Sequence, residues 1–159
     1  MATSDYFAEL YVAGRFAEAG WNIYFPHRDQ GFDFIVSKTH GGNQPTIRPV
    51  QVKGKYPIHG KVDKSTYGYL GDLSQVHDEM VLAIPFFSSA STQMPTCTAY
   101  IPRSLVRSSA TRGFRCHPAT FQSGRAVPRR DFKKFFDDAG LQLMESANWS
   151  QLSTSMSDA

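Results

Sequence analysis

Hydrophobic and polar positions alternate along this chain with two different periods, and the change of period marks its elements. Across residues 4–19 the apolar positions Phe7, Leu10, Tyr11, Gly14 and Ala17 recur every three or four residues, which predicts one face of a helix. Ser4 is suited to cap it and Gly20 to stop it. Residues 21–25, 32–37 and 47–53 are short runs rich in aromatic and β-branched side chains, and they read as strands. Residues 26–31 break the first run from the second, and Gly41-Gly42-Asn43-Gln44-Pro45 has the composition of a hairpin turn between the second and third.

A loop rich in Gly, Lys and Tyr follows. Residues 73–79 are expected to form a short helix, and residues 80–87 a nearly continuous apolar, buried strand. Residues 96–101 predict another strand and residues 102–109 a short helix with proline in its first turn. Within the irregular stretch 113–130 a short strand is expected near residues 114–116. Residues 129–139 predict a helix with Phe132, Phe135 and Phe136 inward, ended by Gly140. From about residue 145 the chain is Ser-rich with little apolar pattern, so one domain over 1–144 is expected. Residues 145–159 then form a tail that is loosely held or used in assembly, as terminal segments often are. No internal repeat is visible.

Composition narrows the class. With 159 residues, 41% of them hydrophobic, 13% aromatic and 19% charged, the chain is long enough for a real core and too apolar to stay disordered. No apolar run reaches the roughly 20 residues a membrane helix needs, and the N-terminus lacks the order of a signal peptide, so a cytoplasmic location without membrane contact is expected. Cys97 and Cys116 have no metal-ligand spacing and are read as reduced and structural. The net charge is only +3, but its distribution is uneven. Residues 103–134 carry nine Lys or Arg against the single acid Asp131, whereas residues 135–159 carry four acids and no Lys or Arg. Such a basic segment is either a solvated face or a phosphate-binding surface.

The most informative positions are polar residues inside strand-like runs. Asp33 stands between Phe32 and Phe34, and Gln51 and Lys53 flank Val52 at the two-residue spacing that puts both on one strand face. A carboxylate and an ammonium in a core sheet are costly unless they pair or bind something. Either Asp33 and Lys53 form a salt bridge while Gln51 meets solvent, or Asp33 and the Gln51 amide oxygen are hard ligands for Mg²⁺ and Lys53 handles the attacking water.

A helix, a short strand, Gly31-Phe32-Asp33, a hairpin and Gln51-Val52-Lys53 in that order resembles the active-site layout of the PD-(D/E)XK phosphodiesterase superfamily. The likeness is to small members such as archaeal Holliday junction resolvases, Mrr-type restriction nucleases and a group I intron homing endonuclease. It covers about residues 4–101. It implies a restriction-endonuclease-like α/β fold, a central mixed β-sheet flanked by helices in the order αβββαβ. It also implies a catalytic set of Glu9, Asp33, Gln51 and Lys53, with Asp33, Gln51 and Glu9 as ligands of Mg²⁺ or Mn²⁺. Glu18 competes with Glu9 for the helix position but lies close to the helix end. The sequence departs from the family pattern in having Phe32 in place of Pro, and Gln51 where many members have an acid.

The activity implied is metal-dependent endonucleolytic hydrolysis of double-stranded DNA, for which a homodimer or larger symmetric assembly would bring one site to each strand. Arg28, Lys55, His59, Lys61 and Lys64 around the site are expected to contact nucleic acid, with His27 beside them. Arg103, Arg107, Arg112, Arg115, Arg125, Arg129 and Arg130 are expected to form a second surface. The remaining histidines lack metal-ligand spacing and are read as structural or surface residues. Two other classes stay open: a nucleic-acid-binding protein of this fold with a silent site, and a protein-interaction module using the aromatic-rich surface.

Overall fold

A computed structural model describes residues 3–28, 31–42, 44–57, 69–71, 77–88, 94–109 and 113–154. The chain opens with helix α1 (Thr3–Glu18). Gly20 ends it as expected: at φ +92° the Gly20 N–H donates to Ala17 O at 3.1 Å and the Trp21 N–H to Phe16 O at 3.0 Å. These are the two bonds of a Schellman motif, and the Trp21 ring meets Phe16 edge-on at 6.2 Å.

The buried face of α1 differs from the expected one. Ala8, Val12, Ala13 and Phe16 are buried, whereas Phe7 and Leu10 are 38% and 44% exposed and Gly14 and Ala17 face outward. Apolar residues occur on both sides of this helix, so periodicity alone has two solutions. Packing selects the side where small Ala8 and Ala13 allow a close approach and Phe16 reaches the core. Phe16 meets Phe34 at 5.9 Å and Tyr100 at 5.5 Å between ring centroids.

Ten strands occur among the described residues: β1 (Asn22–Tyr24), β2 (Phe34–Lys38), β3 (Thr46–Val52), β4 (Tyr69–Gly71), β5 (Val81–Phe86), β6 (Cys97–Pro102), β7 (Arg107–Ser109), β8 (Gly113–Arg115), β9 (Ala119–Gln122) and β10 (Arg125–Pro128). The main sheet runs β1-β2-β3-β5-β6. All its neighbours are antiparallel except β3 and β5, which are parallel with Gln51 opposite Leu82. The protein is therefore an α/β molecule with a mixed sheet. Every residue of β5 and β6 is buried, and this pair forms the centre of the core. A small sheet β4-β8-β7 and the hairpin β9-β10 are added outside it.

The second half departs from expectation in three places. Residues 102–109 contain one 3₁₀ turn, Arg103–Leu105, and then β7 rather than a helix. Residues 129–139 do not form one helix: a 3₁₀ segment Arg130–Phe135 breaks at Phe136, and α2 (Asp137–Leu143) begins with Asp137 at φ +54°. The break lets Phe136 bridge to Ala99 on the open edge of β6, while the Asp137 carboxylate accepts the Thr98 N–H at 3.0 Å. Gly140 lies inside α2 rather than ending a helix; a Cβ there would come within 2.2 Å of Phe135 O.

Residues 145–154 are packed instead of loosely held. Trp149 is fully buried, and its Nε1 donates to Met80 O at 3.0 Å. Glu145 pairs with Lys38 at 3.0 Å. Arg48, only 3% exposed in β3, donates to Met144 O at 2.8 Å and Ser146 O at 3.0 Å, pairs with Glu79 and lies 5.7 Å from the Trp149 ring. Phe132, Phe135, Phe136 and Trp149 are thus part of the chain's own core. Of the helix expected over residues 73–79, only 77–79 are described, and they form a turn.

Candidate active site

The hairpin β2-β3 builds the site. Its register pairs Phe34 with Val50, and Phe16 on α1 packs against Phe34, so this row faces α1. By the alternation of a strand, Gln51 is turned to the other face. Asp33 lies just before β2, where its N–H donates to Val50 O at 2.9 Å and its Oδ2 accepts the Val52 N–H at 2.7 Å. Two bonds therefore hold the half-buried Asp33 against the Gln51 segment, one through its backbone N–H and one through its carboxylate. Gln51 is buried at 4% exposure rather than open to solvent.

Lys53 follows directly, its backbone N–H bonded to Ala83 O at 2.9 Å. The salt bridge that sequence allows between Asp33 and Lys53 is not formed, and among the described residues the Lys53 ammonium has no ion-pair partner. The chain continues to Lys55, which bridges to Phe86 at the end of β5. Burial lowers the Lys55 pKa below the ordinary lysine range, and the neighbouring Lys53 charge lowers it further. Tyr56 then stacks on Phe87 at 4.5 Å, with Phe7 of α1 at 6.2 Å from the same ring. The outcome is one carboxylate and two lysines at one end of the sheet, next in the chain to the Tyr56–Phe87 stack.

Glu9 is half-buried. It shares the inward side of α1 with Val12, Ala13 and Phe16 at the spacing i, i+3, i+4, i+7. Its neighbour Ala8 lies against Gly54: a Cβ on that glycine would be 3.5 Å from the Ala8 Cβ. The first turns of α1, which carry Glu9, therefore pass Gly54 just beyond β3, whereas Asp33 and the Gln51–Val52 segment are joined by the hairpin itself. Glu18 is exposed and paired with Arg15 at 2.7 Å, at the far end of the helix.

Among the described residues, no group of three or more His, Cys, Asp or Glu side chains could hold a metal. Mg²⁺ does not require one, because it is usually held by one or two carboxylates with water and substrate phosphate completing the shell. Asp33 fits that need: its Oδ1 has no protein partner among the described residues, and the Gln51 amide can add a neutral oxygen.

The expected nucleic-acid contacts are spread over two regions. Arg28 is exposed just before the site, and Lys55 lies at the sheet end. His59, Lys61 and Lys64 lie outside the described residues. Arg125 stands at the turn of the β9-β10 hairpin, close enough to Cys97 for its charge to favour the thiolate. That hairpin packs Phe121 against Phe86 at 6.1 Å, so Arg125 and Lys55 belong to the same end of the sheet. Arg129 and Arg130 are exposed where β10 leads into the 3₁₀ segment. Cys97 and Cys116 are free and buried, with thiols pushed up by burial to about 11 and about 12. Sequence reasoning missed the ordered Tyr56–Phe87–Phe7 stack, whose members are too far apart in the chain for periodicity to connect them.

No protein-family model matches the chain, and no curated protein matches it either. Among the described residues, no helix is long and apolar enough to cross a membrane.

Proposed function

We propose that this chain is a metal-dependent endonuclease of the PD-(D/E)XK type that hydrolyses DNA phosphodiester bonds. The observation that carries the reading is the pairing of a fixed carboxylate with an unneutralised lysine. Asp33 is pinned by the Val52 N–H beside the buried Gln51, and Lys53, two residues on, makes no ion pair among the described residues. A structural salt bridge would explain both charges at no functional cost, and it is not formed. The order α1, β1, β2, β3, then β5 parallel to β3 and β6 beside it, suits a restriction-endonuclease-like core.

Asp33 and the Gln51 amide oxygen would hold Mg²⁺ or Mn²⁺, with Glu9 as the additional acid. When bound, such a cation polarises a phosphate oxygen and makes water a better nucleophile near neutral pH. The Lys53 ammonium then orients the attacking water and offsets the negative charge that grows on the phosphate oxygens. Lys55, kept less basic by burial, adds a donor beside it, and Arg28 and Arg125 would guide the DNA backbone to this end of the sheet. Cutting both strands calls for two centres, so a homodimer is part of the proposal.

The test is incubation of the purified chain with supercoiled, linear and branched DNA, with and without Mg²⁺ or Mn²⁺. Cleavage is expected only with metal. Asp33→Ala and Lys53→Ala should each reduce it by about 100-fold or more while leaving the domain folded. Wild-type-like cleavage by either variant would sink the assignment. Metal-independent DNA binding without cleavage would instead favour the silent-site reading, for which the neutral Gln51 leaves room.

A further inference from the structure

A second cluster of charge lies beyond the β6 edge of the main sheet, where neither Asp33 nor Lys53 takes part. In the antiparallel pair β7-β8, Arg107 and Arg115 are register partners. Like charges directly opposite each other across a strand pair destabilise it. Nothing among the described residues offsets them, since neither arginine makes an ion pair or side-chain hydrogen bond there. Both line a cavity of about 570 Å³ together with Arg129 and His117. Arg129 donates to His117 O at 3.0 Å, and its contact with Asp131, the one acid among the described residues of the wall, is long at 3.8 Å. The buried His117 Nε2 has no hydrogen-bond partner among the described residues. Burial, with Arg129 and Arg115 adding to it, holds the His117 pKa below its ordinary range, as a locally positive field requires.

Three guanidinium groups converging on one concavity, two of them opposed at a cost in stability, make sense if an anion belongs between them. Guanidinium forks match phosphate oxygens in pairs. The cavity has the size of small-molecule sites, about 300–1,000 Å³, and Leu105 and Phe132 give it apolar wall beside the charges. We propose that this cavity binds the phosphate group of a nucleotide, either a free nucleotide or one at the end of a DNA strand, through Arg107, Arg115 and Arg129. The site stands apart from the nuclease reading, because it uses none of that centre's residues and needs no metal.

Binding should be measured by titration calorimetry and thermal unfolding in EDTA at low salt, with inorganic phosphate, adenosine monophosphate and a short duplex carrying terminal phosphates as probes. Wild type should bind adenosine monophosphate or the duplex and melt higher in its presence. The double variant Arg107→Gln/Arg115→Gln should bind at least about tenfold more weakly, a loss of about 1.4 kcal/mol. Without ligand the double variant should melt no lower than wild type, because the opposed charges are gone. Arg115→Lys, which keeps the charge and loses the fork, should fall between the two, and it provides the test should the double variant not fold. Binding of the mononucleotide identifies a free nucleotide as the source, and binding of the duplex alone identifies a DNA end. The proposal is overturned if no probe binds or raises the melting temperature, or if the arginine variants bind as wild type does. Because EDTA prevents metal-dependent cleavage, a failure here leaves the Asp33 centre untouched, and an inactive Asp33 centre leaves this result untouched.

Discussion

The two halves of the main sheet are built by different rules. In β5 and β6 every residue is buried, the outer edge is covered by Phe136, and Trp149 closes the far side over Met80. In β1, β2 and β3 the apolar residues that reach the core occupy alternate positions; Tyr24, Ile35 and Ile47 are exposed, and the polar set Asp33, buried Gln51 and Lys53 stands at the end of the hairpin. A strand packed on both faces has no room for a charged side chain without a partner, whereas a strand packed on one face can present charges and still fold. The difference shows where stability is concentrated and where chemistry could be placed. Arg48 joins the halves, because it is a β3 residue whose guanidinium is held by the C-terminal segment.

The comparison is broken most directly at Trp149. Trp149→Ala should cost about 3–5 kcal/mol, since it empties a fully buried site and leaves Met80 O without its donor. A loss under about 1 kcal/mol in urea unfolding would mean that the C-terminal segment does not belong to the stable half. Arg48→Ala should cost about 3 kcal/mol, because it leaves Glu79 and two carbonyl oxygens without their shared donor. The Asp33→Ala protein, by contrast, should keep most of its stability, so the contrast fails if its midpoint falls as far as that of Arg48→Ala.

The smallest effect is expected from pH. His117 has a folded-state pKa below its unfolded value of about 6.5, so the unfolded chain takes up a proton that the folded chain refuses. Stability from this group is therefore complete above about pH 6.5 and is lost as pH falls below it. His117→Gln should flatten that part of the curve relative to wild type. Parallel curves for the two proteins would show that neither burial nor the charges of Arg129 and Arg115 hold the His117 pKa down.

Much of the sheet was legible in the sequence because a strand is a local pattern. The runs that form β1, β2, β3, β5 and β6 are visible as clusters of aromatic and β-branched residues, and the hairpin between β2 and β3 follows its turn residues. The inward side of α1 was not legible, because Phe7 and Leu10 mimic a core face that small Ala8 and Ala13 actually supply. The break at Asp137 was hidden for a related reason. Phe132, Phe135 and Phe136 fit a helical face, but the demand of the β6 edge for a partner overrides that period.

By itself the sequence determined the strand runs, the stop at Gly20, and the presence of Asp33, Gln51 and Lys53 at the spacing that makes them worth testing. All three follow from near neighbours in the chain, through backbone geometry and side-chain alternation. Only the tertiary structure decided that Asp33 is held by the Val52 N–H and not by Lys53, that Trp149 belongs to the core, and that Arg107 faces Arg115 across a strand pair. Each of these depends on which distant segments meet, and that is set by packing and register, which no local pattern encodes.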